Sequence, residues 1–187
     1  MYSSRLCETN ASTYCEWRYN FRLIRLSSIR MYEAFMDTQE LIKLLANPVL
    51  LDSFNNLLND HGDFQSKEGH FSLSNVINDF LFEKRRIVYY LVWTADTIVF
   101  TSRIFVMPKT AYITMVHTHD GYKRKGICSG AFKKMFKHFP EVTRWKLDVE
   151  HGNTAAIACY TKIGFKATPS QSFPDVVVMA LNLRTNS

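Results

Sequence analysis

Apolar residues recur every three or four positions through much of the first 82 residues of this chain. Such spacing is typical of helices that bury one face, and it predicts three of them, over 29–45, 48–59 and 72–81. Alternating apolar residues over 19–26 predict one strand ahead of these helices. Residues 1–18 show no clear period, and we expect them to form an N-terminal extension of uncertain order.

The period changes near residue 87, where β-branched and aromatic residues become frequent. Two such runs separated by a short polar turn predict a hairpin, and further strands follow. The predicted strands cover 87–93, 97–107, 111–118, 144–150, 165–167 and 175–183. Helices are predicted after Gly126 and after Asn153, which suits an N-cap, and Gly164 suits the end of the second helix. Strands and helices with no linker between them indicate a single α/β domain over 19–187.

The composition favours a folded protein with a large core. The chain has 187 residues, of which 47% are hydrophobic and 14% aromatic, and this excludes intrinsic disorder. No apolar run reaches about 18 residues without a charge, so a membrane-spanning helix is not expected. The four cysteines, at positions 7, 15, 128 and 159, match no disulfide or zinc pattern. With no apolar signal segment, they indicate a reducing, cytoplasmic environment.

The net charge of +6 arises from one short segment. Residues 121–137 contain six Lys and Arg and no acidic residue, and the remaining 17 basic residues balance the 17 acidic ones. Such a segment is either a solvated helix face or a site for phosphates or nucleic acid. Three glycines at the predicted helix start favour phosphate binding by backbone N–H groups. The same cations are expected to lower the pKa of Cys128 and make its thiol the most reactive of the four.

Two motifs follow one another in this part of the chain. Residues 122–129 read YKRKGICS, and residues 153–165 read NTAAIACYTKIGF. They resemble the GNAT superfamily of acetyl-CoA-dependent N-acetyltransferases, whose pyrophosphate loop reads R/Q-x-x-G-x-G/A and whose later helix reads N-x-x-A-x-x-x-Y-x-x-x-G-F. Every specified place of the helix pattern is filled. In the loop, Lys123 replaces the leading Arg or Gln, and Cys128 replaces the second small residue.

The resemblance covers about residues 86–183 and implies a fold and a cofactor site. The implied fold is a twisted mixed sheet of about seven strands with helices on both faces and splayed central strands. The pantetheine arm of acetyl-CoA would lie between those strands, and the loop would hold the pyrophosphate. The residues implied in cofactor binding are Val116, His117, Thr118, Lys123, Arg124, Lys125, Gly126, Ile127, Cys128, Ser129, Asn153 and Tyr160.

The implied reaction is the transfer of an acetyl group to a primary amine by direct attack in a ternary complex. An alkyl amine with a pKa of about 10.4 must first lose a proton, which requires a base. The family often has a glutamate on the strand before the loop, but the predicted strand 111–118 contains no carboxylate. Asp148 lies where the branch of the family that acetylates protein N-termini has a glutamate, on the following strand, so the resemblance implies Asp148 as the first candidate base. His117 is the other candidate, and Glu150, with the same strand parity as Asp148, comes after them. Tyr160 is the candidate acid, or hydrogen-bond donor, for the departing thiolate.

Three other functions are weighed against this one. A nucleic-acid-binding module would use the basic segment with Tyr122, Trp145 and Tyr160, but it leaves the second motif unexplained. A GNAT-like domain that binds acetyl-CoA without transferring the acetyl group is compatible with the missing carboxylate. His117-x-His119 has the spacing of metal ligands, yet no second pair accompanies it, and no metal is predicted. The acceptor amine is not specified by the sequence, no membrane or nucleic-acid partner is expected, and the protein is expected to be a monomer or homodimer.

Overall fold

The computed structural model describes residues 22–26, 29–59, 73–82, 86–168 and 175–183. The predicted extension 1–18 lies outside the described residues. The strands are β1 Arg22–Leu26, β2 Ile29–Met36, β3 Arg86–Trp93, β4 Ile98–Met107, β5 Thr110–Thr118, β6 Arg144–Glu150, β7 Lys166–Thr168 and β8 Val176–Asn182. The helices are α1 Thr38–Leu44, α2 Pro48–Asn59, α3 Leu73–Phe82, α4 Ile127–His138 and α5 Thr154–Ile163, and a 3-10 turn covers Asp120–Tyr122.

The eight described strands form one mixed sheet. Their spatial order is β1-β2-β3-β4-β5-β6-β8-β7. Strands β5 and β6 are parallel, and every other neighbouring pair is antiparallel. Helix α4 makes the crossover between the two parallel strands, as such a connection requires. The predicted mixed α/β sheet is confirmed, with eight described strands where about seven were expected.

Helices cover both faces of the sheet, and each face has its own apolar core. On the α1–α3 face, Leu41, Phe54 and Tyr89 are fully buried. On the α4–α5 face, the core forms around Phe132 and Trp145. Because the central strands are buried on both faces, β3 and β4 are apolar at most positions. The predicted placement of helices on both faces is confirmed.

The prediction of a helix beginning at residue 29 is wrong, since Ile29–Met36 forms strand β2. Its apolar residues pack on both faces, with Met31 in the α4–α5 core and Ala34 in the α1–α3 core. Because both faces of β2 are buried, its apolar and polar residues do not alternate as in a half-exposed strand. Some of its apolar residues are instead three or four positions apart, as in a helix. The helix begins only after Asp37, whose carboxylate accepts a hydrogen bond from the Glu40 N–H at 2.8 Å in a capping box.

The later elements agree closely with the predicted ones. The hairpin of β3 and β4 is present, and β6 has the predicted bounds. Helix α4 begins after Gly126, and α5 begins after Asn153, whose Oδ1 accepts a hydrogen bond from the Ala156 N–H at 3.1 Å. Gly164 ends α5 with a φ of 114°, and a Cβ there would lie 3.3 Å from Leu181. Both backbone conformation and packing therefore favour glycine at this position.

Candidate active site

Strands β5 and β6 pair only over the first part of their length. Four residue pairs join them, the last being Ile113 with Leu147. Beyond this point β6 continues against β8, and β5 continues against β4 through a shift of register. Met115 within the shift has a φ of 53°, a left-handed conformation that is rare for residues other than glycine. The bulge directs β5 away from β6 and leaves a gap in the sheet beside residues 114–118.

The chain leaves β5 and enters α4 through a turn with two left-handed residues. Arg124 has a φ of 60° and Gly126 a φ of 76°, so the chain reverses sharply before the helix. Gly126 occupies the N-cap position and has no side chain with which to cap the first N–H groups of α4. These groups carry the positive end of the helix dipole. A helix start of this kind binds anions.

The three cations of this loop differ in what they contact. Lys123 Nζ lies 2.6 Å from an Asp120 carboxylate oxygen. Lys125 Nζ donates a hydrogen bond to the Gly121 carbonyl oxygen at 2.7 Å. Arg124 is exposed and has no ion-pair or hydrogen-bond partner for its guanidinium within the described ranges. Arg124 is therefore the loop cation that is most available to an anion.

Lys134, also counted in the basic segment, pairs with a buried carboxylate. Glu33 on β2 is 5% exposed and accepts hydrogen bonds from the Lys134 ammonium and, at 2.8 Å, from the Tyr90 hydroxyl. Burial and the hydrogen bond to Glu33 raise the pKa of Tyr90. Glu33 precedes Lys134 by 101 positions, so only the fold shows that this lysine is neutralised. The contact ties α4, and with it the loop, to β2 and β3.

Replacing Glu33 with alanine is expected to destabilise the protein by about 1–3 kcal/mol. The change leaves the buried Tyr90 hydroxyl without its acceptor and removes the partner of Lys134. Urea denaturation at pH 7 measures the free energy of unfolding. The control is Lys133→Ala, an exposed neighbour on the same helix, which should change it by less than about 0.5 kcal/mol. Equal effects of the two variants would show that the buried contact does not stabilise the fold.

Asp148 lies where β5 and β6 separate. Its neighbours Leu147 and Val149 are buried in the α4–α5 core, so the Asp148 side chain projects from the opposite face. The Tyr112 hydroxyl on β5 donates a hydrogen bond to its Oδ2. Burial and this hydrogen bond raise the pKa of Tyr112. Tyr112 is not among the residues predicted from the sequence, because only the register of β5 and β6 brings it beside Asp148.

Tyr160 lies in the α4–α5 core at 6% exposure. Its ring centroid lies 5.7 Å from that of Phe132 and 6.1 Å from that of Phe165. Burial raises the pKa of Tyr160, and the neighbouring thiols Cys128 and Cys159 raise it further. The hydroxyl is therefore protonated throughout the physiological pH range.

The predicted low pKa of Cys128 is wrong. The Sγ atoms of Cys128 and Cys159 lie 3.5 Å apart, and this hydrogen bond, with burial, raises the pKa of Cys128. The same hydrogen bond and the charge of Lys162 lower the pKa of Cys159 to about 7, against the effect of burial.

The family is decided by the sequence match over residues 52–165. This stretch matches the family model described as the acetyltransferase (GNAT) family. The chain belongs to the GNAT acetyltransferase family. The resemblance deduced from the two motifs is confirmed, and the protein is classed as an acyltransferase. No curated protein sequence gives a significant match.

Solved GNAT structures share the fold at low sequence identity. The ribosomal-protein-S18-alanine N-acetyltransferase from Escherichia coli is 15% identical, with 81% of this chain and 94% of that chain covered and a TM-score of 0.58. An acetyltransferase from Salmonella typhimurium that modifies the N-terminal serine of 50S ribosomal subunit protein L7/L12 is 17% identical, with coverages of 87% and 100% and a TM-score of 0.61. The PaiA N-acetyltransferase from Thermoplasma acidophilum, in complex with coenzyme A, is 15% identical, with coverages of 81% and 98% and a TM-score of 0.55.

The remaining predicted site residues of this GNAT domain lie on β5, on the turn and first residues of α4, at the start of α5 and at the end of β6. Val116, His117 and Thr118 follow the last β5–β6 pair, and His117 lies on the opposite arm of the gap from Asp148. Residues 123–129 form the turn and the first residues of α4. Asn153 caps α5, and Glu150 ends β6, paired with β8.

Two features are absent from the part of the GNAT chain that the structure describes, a metal-binding group and a membrane-spanning helix. No three His, Cys, Asp or Glu side chains of these residues lie together in a group that would hold a metal ion. None of the described helices combines the length and the apolar character that crossing a membrane requires.

Proposed function

We propose that this GNAT domain transfers the acetyl group of acetyl-CoA to a primary amine. The proposal is carried by one observation: the gap between β5 and β6 leads to the start of α4, where no side chain caps the helix. A pantetheine arm beside β5 can hydrogen-bond the backbone of residues 114–118 as an added strand would. At the end of the gap, the N–H groups of α4 and Arg124 suit a pyrophosphate. The Thermoplasma relative in complex with coenzyme A supports this choice of ligand.

When bound, acetyl-CoA supplies the activated acetyl group and a thiolate leaving group. Asp148 has the geometry of a general base for the acceptor, since it is exposed and held by Tyr112 where the strands separate. Directly or through a water, Asp148 accepts the proton that the ammonium must lose before its nitrogen attacks the carbonyl carbon. The carbon–sulfur bond then breaks, and no covalent bond to the enzyme is needed.

Tyr160 is the residue that we assign to stabilising the departing thiolate. Because its pKa is raised, complete proton transfer to a thiolate whose conjugate acid has a pKa near 8.5 would be uphill. Its hydroxyl therefore stabilises the negative charge by donating a hydrogen bond as the carbon–sulfur bond breaks, and water supplies the final proton.

The fold disfavours two alternative functions, nucleic-acid binding and acetyl-CoA binding without transfer. Lys123 and Lys134 are paired with Asp120 and Glu33, so the basic segment is less positive than its sequence indicates. This disfavours a nucleic-acid-binding surface. Asp148 provides a carboxylate at the gap although β5 carries none, which favours transfer over binding alone.

A panel of amines tests the proposed reaction. Peptide N-termini, lysine peptides, polyamines and aminoglycosides are incubated with the protein and acetyl-CoA, and thiol release is followed. Release stimulated by one amine class, with the acetylated amine found by mass spectrometry, supports the transferase. Saturable acetyl-CoA binding without stimulated release by any amine would instead identify a binding domain without activity.

Arg124→Ala is expected to weaken acetyl-CoA binding by about tenfold or more, because a hydrogen bond to a charged group contributes about 1.5–3 kcal/mol. Alanine and arginine have similar costs in the left-handed conformation, so the variant removes the cation with little change in backbone strain. Lys123→Ala should have a smaller effect, since Lys123 is paired with Asp120. Calorimetry at two salt concentrations should also show a weaker salt dependence for Arg124→Ala.

The control for this prediction is Lys109→Ala. Lys109 is exposed in the turn between β4 and β5, at the other end of β5 from the loop. The Lys109→Ala variant should bind acetyl-CoA with the same affinity as the unmodified protein. Equal affinities for Arg124→Ala and Lys109→Ala would contradict the assignment of the loop to the phosphates.

A further inference from the structure

Two cysteines from different helices face each other beside the proposed site. Cys128 is the second residue of α4 and Cys159 is the sixth of α5, and both are half-buried. Their Sγ atoms lie 3.5 Å apart, with the thiol of one donating to the sulfur of the other. The proposed transfer reaction uses neither thiol, so the pair has no role in the chemistry assigned so far.

We propose that Cys128 and Cys159 form a redox-sensitive pair, which hydrogen peroxide converts to a reversible disulfide joining α4 to α5. A disulfide requires a sulfur–sulfur distance of about 2.05 Å, so the Sγ atoms must approach by about 1.5 Å. Rotation of the two side chains, with a small shift of the packed helices, supplies a movement of this size. Transient disulfides of this kind are the ones found in reducing compartments.

The chemical roles of the two thiols differ. With a pKa of about 7, Cys159 is substantially a thiolate at neutral pH. Its sulfur attacks one peroxide oxygen, the O–O bond breaks, and hydroxide leaves, which gives a sulfenic acid on Cys159. The Cys128 sulfur then attacks the Cys159 sulfur, its proton going to the departing hydroxide, so that a disulfide and water form. The two thiols lose two electrons in total, and the peroxide gains them.

The disulfide would act on the first turn of α4. Cys128 lies within the loop that we assign to the pyrophosphate, two residues after Gly126. Fixing its sulfur to α5 reorients this turn and moves the N–H groups that would face the phosphates. We therefore expect oxidation to weaken acetyl-CoA binding by several-fold, and this consequence rests on the proposed function.

The test uses the full chain carrying Cys7→Ser and Cys15→Ser, so that Cys128 and Cys159 are the only thiols left in the sequence. Positions 7 and 15 lie outside the described residues. Hydrogen peroxide is added without coenzyme A, and the intact mass is measured before and after addition of dithiothreitol. The expected result is the loss of two hydrogens, a cross-linked peptide that contains Cys128 and Cys159, and full reversal by the reductant. The rate should rise with pH through about 7, as the Cys159 thiolate forms.

The control variants are Cys128→Ser and Cys159→Ser in the same background, and neither should lose two hydrogens. Sulfinic acid on Cys159 without a cross-linked peptide, or no reaction, would overturn the proposal. Acetyl-CoA affinity is measured separately on the reduced and the oxidised protein. Failure of the reduced protein to bind would contradict the proposed function but not the disulfide, and equal affinities would overturn the effect on binding.

Discussion

Replacing Tyr160 with phenylalanine is expected to lower kcat by about 10²-fold while the Kd for acetyl-CoA stays nearly the same. The variant keeps the ring that packs against Phe132 and Phe165 and removes only the hydroxyl. A single donor placed where negative charge develops typically contributes about 10²–10³ in kcat. The group is protonated at any working pH, because burial and the two thiols raise the pKa of Tyr160.

Steady-state rates with the best amine of the panel and calorimetry with acetyl-CoA measure the two quantities. Tyr32→Phe, on β2 against the α1–α3 face, is the matched control and should retain full activity. A nearly fully active Tyr160→Phe variant would show that Tyr160 only packs beside the site. The thiolate would then be stabilised by solvent alone, and membership of the GNAT family would be unaffected.

Replacing Asp148 with asparagine is expected to lower kcat by about 10²-fold near pH 7, the lower end of the range for general-base catalysis. Asparagine can still accept the hydrogen bond from Tyr112 through its carbonyl oxygen, so the variant tests the charge rather than the position. The deficit should shrink as the pH approaches about 10, because an alkyl amine then loses its proton without help. Rates measured from pH 6 to 10 give this profile.

Two companion variants decide between the candidate bases. Tyr112→Phe removes the hydroxyl that holds the carboxylate and should lower kcat less than Asp148→Asn does. His117→Gln changes the other arm of the gap. If His117→Gln abolishes the neutral-pH rate while Asp148→Asn does not, His117 is the base and the assignment of Asp148 is wrong.

Much of the fold from residue 86 onward could be predicted because its signals act over a few residues. Asn153 caps α5 through a contact three positions away, and Gly164 and Gly126 adopt left-handed conformations that other residues disfavour. The loop and helix motifs lie on these elements, which is why the family was predictable. By contrast, β2 was predicted as a helix. Its apolar residues are buried in the cores on both faces of the sheet, and only the pairing with β1 and β3 shows that the segment is a strand.

The sequence by itself determined the family, the later elements and the position of the glycine-containing turn before α4. The tertiary structure alone decided which charges and thiols act together. Lys134 is neutralised by Glu33 from 101 positions away. The contact between Cys128 and Cys159, which are 31 positions apart, raises the pKa of Cys128 and lowers that of Cys159. Ion pairs and hydrogen bonds fall off over a few ångströms, so they depend on strand register and helix packing. A local pattern along the chain reveals neither the strand register nor the helix packing.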